Sequence, residues 1–417
     1  MPSSPGPRPH VVVLGGGFGG LAAADRLRRS DVDVTIVDRD GLHVFQPLLY
    51  QVATGRLDRG LVASELRDRV PPGVRVRAAT VESIDLDGRS VELSSGEALT
   101  WDRLVVALGA GTDWLGIPGA AEHAVPLKDV RDATIALDQL APLFERPHRK
   151  VSVVIVGAGP TGVELAGALA DLRAEQGQHR LRISLVEAGH DLLSGYRPAS
   201  RDAAIEALVE RGVHVHTEEP VTAVASDHVE LASGARLPAE VVLWATGVDA
   251  TPVATAVGLP VEDRRVPVGP TLRLRGHDDV FVVGDLAGAR GRDGAPLPQL
   301  AAVAQQAGRH AAAEIERSLR GADPQAFRYQ DKGTLAIIAD RAAVADLPFG
   351  VTVHGLPAWV LWLGVHVVLL PDPVARLGVV TSWVSRSVRA LPGPLRPLLA
   401  GSFDAAPSAP SGAHHDR

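Results

Sequence analysis

The sequence contains no cysteine. This absence excludes disulfide bonds, thiolate metal sites and every redox relay that depends on a cysteine pair. Lysine is also scarce, since Lys128, Lys150 and Lys332 are the only lysines among 42 basic residues. Because the net charge is −7, the chain offers no general basic surface for nucleic acid.

Long apolar runs are missing as well. No segment reaches the roughly 18–20 uninterrupted apolar residues of a membrane-spanning helix. Residues 1–9 lack the apolar centre of a secretion signal, so we expect a protein that stays in the cytoplasm. The chain has 417 residues, 46% hydrophobic and 22% charged, a balance that predicts two or three globular domains with a large core.

The first motif follows a short β-branched run, Val11–Leu14, which is typical of a buried parallel strand. Gly15, Gly17 and Gly20 then have the G-x-G-x-x-G spacing and lead into a predicted helix. These glycines allow a tight turn, a close backbone approach to pyrophosphate and close helix packing. Asp38 ends the next predicted strand, where an acid can bind ribose hydroxyls.

The same pattern restarts in the middle of the chain. Gly157, Gly159 and Gly162 repeat the spacing after the predicted strand 151–156, and Glu187 ends the strand that follows. A whole nucleotide-binding unit is therefore repeated. Two glycine motifs, each with its own acid, predict two dinucleotide sites.

Three later strands end in glycine or in Gly-Asp. WDRLVVALG ends at Gly109, VVLWATG ends at Gly247, and VFVVGD ends at Asp285. The third of these follows both nucleotide-binding units, so we expect the chain to return there to the first one.

Glu164 is the acid with the best placement for catalysis, two residues after Gly162. A carboxylate buried there would have a raised pKa and would serve as a proton relay or a contact for nicotinamide. A solvated helix glutamate is the alternative. His43, His310 and His366 have no metal-ligand spacing, so we predict structural roles for them and no metal site.

Two segments near the motifs need separate predictions. Asp40–Gly55 has no clean period but is rich in apolar residues, so we expect a loop packed against a ligand or another domain. A bland surface loop is the alternative. Leu57–Val70 and Val130–Phe144 are predicted helices.

The C-terminal part is apolar in a different way. Gly355–Leu370 is bounded by prolines and is too short to span a membrane. Beyond it, one predicted helical face is apolar, with arginines elsewhere around the helix. This pattern favours an interfacial helix on anionic lipid, and packing on the core or on a twin subunit is the alternative. The apolar positions are Val374, Leu377, Val380, Val384, Val388 and Leu391.

Several motifs together resemble the type II NADH:quinone oxidoreductases, from about residue 10 to residue 390. The specific ones are HVFQPLLYQVATG at 43–55 and AWVLWLGVH at 358–366, beside the shared motifs WATGV at 244–248 and VVGD at 282–285. The resemblance implies a peripheral flavoenzyme that oxidises NADH through FAD and reduces a menaquinone- or ubiquinone-type quinone without pumping protons. It also implies two Rossmann-like α/β domains and an amphipathic membrane-associating region.

The resemblance further implies roles for particular residues. FAD would be bound by Gly15, Gly17, Gly20 and Asp38, with Gln46 and Asp285 along the flavin and its ribityl chain and Gly109 and Gly247 near the cofactors. NADH would be bound by Gly157, Gly159, Gly162 and Glu187. Glu164 and Gln306 would be the catalytic side chains.

The sequence departs from the family pattern at three places. Ala107-Leu108-Gly109 replaces an alanine-threonine-glycine, and Ala302 replaces a glutamine expected beside the flavin, although Gln305 lies one turn further on. Ile338-Ala339-Asp340 stands where the family has a Gly-Arg-like pair. The loss of the glutamine bears on the choice of quinone.

The predicted organisation places an FAD domain at 10–118 with 265–330 and an NADH domain at 119–264. A membrane and dimer region follows at 331–400, between disordered tails at 1–9 and 401–417. We expect a homodimer on the cytoplasmic face of the membrane that does not bind nucleic acid. Two alternatives are a soluble NADH-dependent reductase of a carrier such as ferredoxin and a flavin-binding redox sensor.

Overall fold

The computed structural model describes residues 8–145, 149–370 and 372–389, the last segment with side chains as far as residue 385. Two five-stranded parallel sheets form the centre of the molecule. The predicted α/β class is confirmed. Of the predicted tails, residues 1–7 and 401–417 lie outside the described residues, and so do the side chains of Val388 and Leu391.

The first parallel sheet has the order β20-β9-β1-β2-β5. Its central strands are apolar because both of their faces are covered, and residues 11–14 are fully buried. The surrounding core draws on the helical segment 303–315 and on residues 81–93 of antiparallel strands. The last strand to join comes from far along the chain and pairs in parallel with β9. The chain therefore does return to its first unit, as the sequence predicts. The strands are β1 His10–Leu14, β2 Asp33–Asp38, β5 Arg75–Ala78, β9 Arg103–Val106 and β20 Val280–Val282.

The second parallel sheet repeats this arrangement in the order β11-β18-β12-β13-β14. In each sheet, the strand before the glycine motif lies at the centre and the strand that ends in the acid lies beside it. The strands are β11 Ala124–Pro126, β12 Val151–Val156, β13 Leu181–Val186, β14 His214–His216 and β18 Val241–Trp244.

Antiparallel pieces surround the two sheets, and one two-stranded ribbon, β10 with β19, joins the two units. The remaining strands are β3 Leu42–Val44, β4 Ala63–Glu65, β6 Val81–Asp85, β7 Ser90–Leu93, β8 Ala98–Thr100, β10 Gly111–Thr112, β15 Val221–Val224, β16 His228–Leu231, β17 Arg236–Pro238, β19 Val248–Asp249, β21 Thr334–Ala339, β22 Ala342–Asp346 and β23 Thr352–His354.

Ten α-helices lie within the described residues, and none of them is long and apolar enough to cross a membrane. They are α1 Phe18–Leu27, α2 Leu49–Ala53, α3 Ala120–His123, α4 Val130–Phe144, α5 Pro160–Glu175, α6 Pro198–Glu210, α7 Thr251–Ala256, α8 Ala301–Leu319, α9 Leu356–Leu369 and α10 Pro373–Arg389.

Two helix predictions had opposite outcomes. Helix α4 has the predicted bounds, because Asp129 caps it with a reciprocal capping box to Asp132. The helix predicted over Leu57–Val70 is wrong. Asp58 accepts from the Gly60 N–H and begins a 3₁₀ turn, and the chain then runs antiparallel to β3 as β4 before a second 3₁₀ turn. Strand pairing therefore overrides the local helical pattern there.

The segment 40–55 is packed, as predicted. It forms β3, a 3₁₀ turn over Gln46–Leu48 and α2, and Phe45, Leu48, Leu49 and Tyr50 are buried. These side chains belong to the core that also contains helix α5 and the C-terminal helices. The surface-loop alternative is therefore excluded.

The C-terminal helices α9 and α10 bury one side against the rest of the molecule, with Trp362 and Trp383 among the buried residues. Val360, Val368, Val374 and Leu377 remain exposed on the outside. The helices therefore pack on the core and also keep an apolar outer surface.

Candidate active site

The first glycine loop forms an open cradle at the N-terminus of α1. Gly15 has a φ of 103°, and a Cβ there would overlap the Ala107 carbonyl. A Cβ on Gly20 would overlap the Gly15 carbonyl oxygen, whereas one on Gly17 would meet nothing within 4 Å. No side chain caps α1, so its first-turn N–H groups are available to an anion.

The second loop has the same geometry at the N-terminus of α5. Gly157 has a φ of 97°, a Cβ on Gly162 would overlap the Gly157 oxygen, and one on Gly159 would meet nothing within 4 Å. Helix α5 likewise has no side-chain cap. The two loops therefore offer two equivalent sites for a pyrophosphate.

The two predicted acids brace these loops. One Asp38 oxygen accepts from the Gly16 N–H at 2.8 Å, and the other accepts from Asp40 and Gly41 at 3.1 Å each. Glu187 accepts from the Ala158 N–H at 2.7 Å and from Gly189 at 2.8 Å. Each carboxylate therefore lies beside its glycine loop, where a ribose bound there would need an acceptor.

Beyond the first loop, Gln46 and Asp285 both contact Lys128, which belongs to no sequence motif. Gln46 Nε2 donates to the Lys128 carbonyl at 3.1 Å, and Lys128 Nζ lies 3.3 Å from Asp285 Oδ2. Gln299 donates to the Asp285 carbonyl at 3.1 Å. Lys128 lies just before α4. The only feature of the sequence that marks it is that it is one of three lysines.

Gly109 and Gly247 each follow a strand of a parallel sheet by three residues, so β9 and β18 end earlier than the sequence predicts. A Cβ at either position would meet nothing within 4 Å. The open space beside the strand ends lies on the side of the sheets where nucleotides bind in such folds. Both glycines therefore fit a role beside a cofactor.

A cavity lies between α5, the segment after α2, the turn that follows β21, and the C-terminal helices. It has about 70 Å³ of water-accessible volume. Four aromatic and five charged side chains are among the residues that line it. The lining consists of Tyr50, Gln51, Arg56, Glu164, Ala168, Asp171, Glu175, Ile337, Ile338, Ala339, Asp340, Trp359, Trp362, Leu363 and Trp383.

Glu164 reaches this cavity because α5 packs unusually closely on β21. A Cβ at Gly167 would overlap the Ile338 carbonyl, so only glycine allows this approach. The Glu164 carboxylate then takes a hydrogen bond from the Ile337 backbone. Burial raises the pKa of Glu164 well above its ordinary value, and the backbone bond opposes this only in part. This shift agrees with the raised pKa that the sequence predicts. It does not agree with the alternative of a solvated glutamate on the helix surface.

Gln306 lies elsewhere. It exchanges two hydrogen bonds with the backbone of Gln330, at 3.0 Å to the oxygen and 2.9 Å from the nitrogen. It lines a separate surface groove with Arg309, His310 and Lys332. The structure therefore does not bring Gln306 and Glu164 into one pocket, and it gives Gln306 a bracing role along α8.

An aromatic column connects the cavity with the first glycine loop. His366 stacks on Trp362 at 3.9 Å between ring centroids and meets Phe45 edge-on at 6.2 Å. Phe45 contacts Phe18, which contacts His43, whose Nδ1 lies 2.9 Å from the Gly16 carbonyl. Burial lowers the pKa of His43 and lowers that of His366 to about 4. This favours the neutral form of both rings, in keeping with structural roles.

These features define a two-dinucleotide oxidoreductase in which the second electron acceptor cannot be a thiol of the chain. The chain belongs to the pyridine nucleotide-disulphide oxidoreductase family, whose model matches residues 9–308, and within it to the type II NADH:quinone oxidoreductases.

Two relatives support this assignment, and a solved structure shows the same fold. A type II NADH:quinone oxidoreductase, NdhA, of Mycobacterium tuberculosis is 34% identical over 92% of this chain and 88% of its own length. The demethylphylloquinone reductase NdbB of a Synechocystis species is 31% identical over 91% of this chain and 96% of its own. The NDH2 of Plasmodium falciparum, solved with NADH, covers 91% of this chain and 98% of its own, with a TM-score of 0.84 at 18% identity.

Proposed function

We propose that this protein oxidises NADH and transfers the two electrons through FAD to a membrane quinone, without pumping protons. The observation that supports this best is the cavity that holds Glu164, since it combines aromatic walls with a carboxylate whose raised pKa suits proton donation. A quinone ring needs both features when it is reduced. No specific observation favours the two alternatives, a reductase of a protein carrier and a redox sensor.

FAD would be held by the first unit. The open cradle at Gly17 and the uncapped helix α1 fit its pyrophosphate, with Gly15 and Gly20 shaping the turn. Asp38 would accept from the ribose. Gln46, Gly109, Lys128 and Asp285 would lie along the rest of the cofactor, and Gly247 would lie where the two cofactors approach each other.

NADH would be held by the second unit, through Gly157, Gly159, Gly162 and Glu187. The chemistry that bound flavin supplies is acceptance of a hydride from NADH and two-electron transfer to the acceptor. The chain itself orients the two nucleotides on parallel sheets, excludes water with the aromatic column, and holds a proton on the Glu164 carboxylate beside the acceptor cavity.

We further propose peripheral attachment to the cytoplasmic face of the membrane through the 331–400 region. Phe349 supports this, although it belongs to no sequence motif, because it is fully exposed at the hairpin tip between β22 and β23. The exposed Leu356, Val360 and Val374 continue the apolar surface. Residues 347–389 contain one acid, Asp372, against three arginines, which suits anionic lipid.

The domain division and the oligomer are proposals of the same kind. The two parallel sheets support an FAD domain of 10–118 with 265–330 and an NADH domain of 119–264. The exposed apolar surface of α9 and α10 would be shared between lipid and the contact of a homodimer.

The deciding experiment is NADH oxidation by the purified full-length protein, with menaquinone and ubiquinone analogues compared. We expect yellow protein that releases FAD on denaturation and reduces at least one quinone. Colourless protein that cannot be reconstituted with FAD would rule the proposal out. Sedimentation with anionic vesicles, and its loss in Phe349→Ser, would test the membrane surface separately.

A further inference from the structure

A row of carboxylates extends along one face of α5, from the protected end of the cavity to solvent. Glu164, Asp171 and Glu175 are seven and four residues apart, so at 3.6 residues per turn they share one side of the helix. All three line the same cavity. The proposed function uses only Glu164.

Asp171 is the middle member and is firmly held. Its Oδ2 accepts from the Asp340 N–H at 2.6 Å, and its Oδ1 lies 3.3 Å from Arg211 Nε. The bond from the Asp340 N–H is the counterpart of the bond between Glu164 and the Ile337 backbone. The two carboxylates therefore accept from the β21 segment on either side of the close contact at Gly167.

The charged groups that face Asp171 come from four elements. They are Glu164 and Glu175 on α5, Arg56 after α2, Arg211 after α6, and Asp340 after β21. Burial raises the pKa of Asp171, while the two arginines and the Asp340 N–H oppose the rise. The net effect raises the pKa of Asp171, so its carboxylate takes up a proton more readily than that of an exposed aspartate.

The outer end of the row meets solvent at an ion pair. Arg56 Nη2 lies 2.8 Å from Glu175 Oε1. The Arg56 side chain is only 11% exposed, whereas that of Glu175 is 47% exposed. Arg56 therefore sits inside the entrance and Glu175 outside it.

We propose that Asp171 is a positioning and proton-holding residue that passes protons from the Arg56–Glu175 entrance to Glu164. The inference rests on the proposed quinone reduction. Each turnover converts NADH, one proton and quinone into NAD⁺ and quinol, so one net proton must enter from water. Seven helical residues separate the two carboxylates by about 10 Å. Water molecules would bridge this gap, and the cavity has room for several of them.

The test compares two electron acceptors in the full-length holoenzyme. Ferricyanide takes electrons without protons, whereas a soluble quinone analogue takes both. We expect Asp171→Asn to slow quinone reduction about tenfold or more, the range of a lost proton-transfer group, and to leave ferricyanide reduction unchanged. Asp171→Glu, which keeps a proton-holding group, should recover most of the quinone rate. Glu206→Gln on the exposed face of α6 is the matched control and should change neither rate.

Equal quinone rates in wild type and Asp171→Asn would overturn the relay. Wild-type protein that reduces ferricyanide but no quinone would instead overturn the proposed function. If Asp171→Asn fails to retain flavin, Arg56→Gln decides the matter. Removing this cation should raise the pKa of Asp171, so the alkaline decline of quinone turnover should move to higher pH. An unmoved profile, with flavin retained, would contradict the relay.

Discussion

The two helices that follow the glycine loops, α1 and α5, begin alike and differ on their far faces. Each starts at an uncapped glycine loop braced by a carboxylate. Helix α1 then packs on α8, where a Cβ on Gly308 would overlap the Gly19 carbonyl. Its buried face is made of alanines, leucine and glycine.

Helix α5 makes an equally close contact with a strand instead of a helix, through Gly167 and Ile338. Beside that contact it carries Glu164 and Asp171, which bond the backbone of β21 and line a cavity. The glycine loops therefore have the same geometry in both units, while the buried carboxylates lie one to three turns further along α5 only.

The strongest way to test the equivalence of the two loops is to fill each of them. Gly20→Ala places a Cβ on the Gly15 carbonyl, and Gly162→Ala places one on the Gly157 carbonyl. Overpacking of this kind costs about 1–3 kcal/mol or more. We expect Gly20→Ala to lose its flavin and all activity, and Gly162→Ala to keep flavin with a KM for NADH at least about tenfold higher.

Flavin absorbance per chain and steady-state kinetics measure the two effects. Gly195→Ala is the control, since a Cβ there meets nothing within 4 Å and the backbone is unstrained. If both loop variants lost flavin equally, the assignment of one nucleotide to each unit would be wrong.

The difference between α1 and α5 can be tested at their contact glycines. Gly167→Ala should destabilise the fold by about 3 kcal/mol, because the Cβ meets a backbone carbonyl that cannot rotate away. It should also move Glu164, so quinone reduction should fall more than ferricyanide reduction. Gly308→Ala should destabilise similarly, with both activities changing together. Thermal unfolding and the ratio of the two rates report the outcome, and identical ratios in the two variants would contradict the comparison.

Much of this difference could not be predicted from the sequence. The strands β1 and β12, helix α4 and both acids follow from local patterns, because buried parallel strands, capping boxes and glycine turns are short-range features. Glu164 lies on α5, the helix that the second glycine motif predicts.

The missed parts depend on contacts between distant segments. Lys128 contacts Asp285, 157 residues away, and no local pattern can show this contact. Asp171 and Arg56 line one cavity only because β21 and the C-terminal helices pack around them, and no local pattern marks either residue. The error over Leu57–Val70 has the same cause, since β3 supplies the pairing partner that a local pattern cannot show.

The aromatic column offers a pH test of how the C-terminal helices are held to the first unit. Burial lowers the pKa of His366 from 6.5 to about 4, so the folded state favours its neutral form. This preference contributes up to about 3 kcal/mol to the free energy of unfolding. The contribution is fully present above pH 6.5 and is lost as the pH falls toward 4. We expect unfolding temperatures to fall across this window and His366→Phe to reduce the fall. A variant with an unaltered pH dependence would show that other groups are responsible.

The smallest expected effect concerns the two bracing acids. Asp38 receives three backbone N–H groups and Glu187 receives two, so both are held independently of any ligand. A carboxylate at the Glu187 position accepts from the ribose 2′-hydroxyl and repels a 2′-phosphate. Glu187→Gln keeps an acceptor for the Ala158 N–H but removes the charge. We therefore expect the preference for NADH over NADPH to narrow about tenfold, or about 1.4 kcal/mol, with flavin content unchanged.

Asp38→Asn should instead weaken flavin retention and leave the nucleotide preference as it is. Specificity constants for both nucleotides, measured with ferricyanide so that the quinone cavity plays no part, separate the two outcomes. A wild-type protein with equal efficiency for both nucleotides would show that Glu187 only braces its loop.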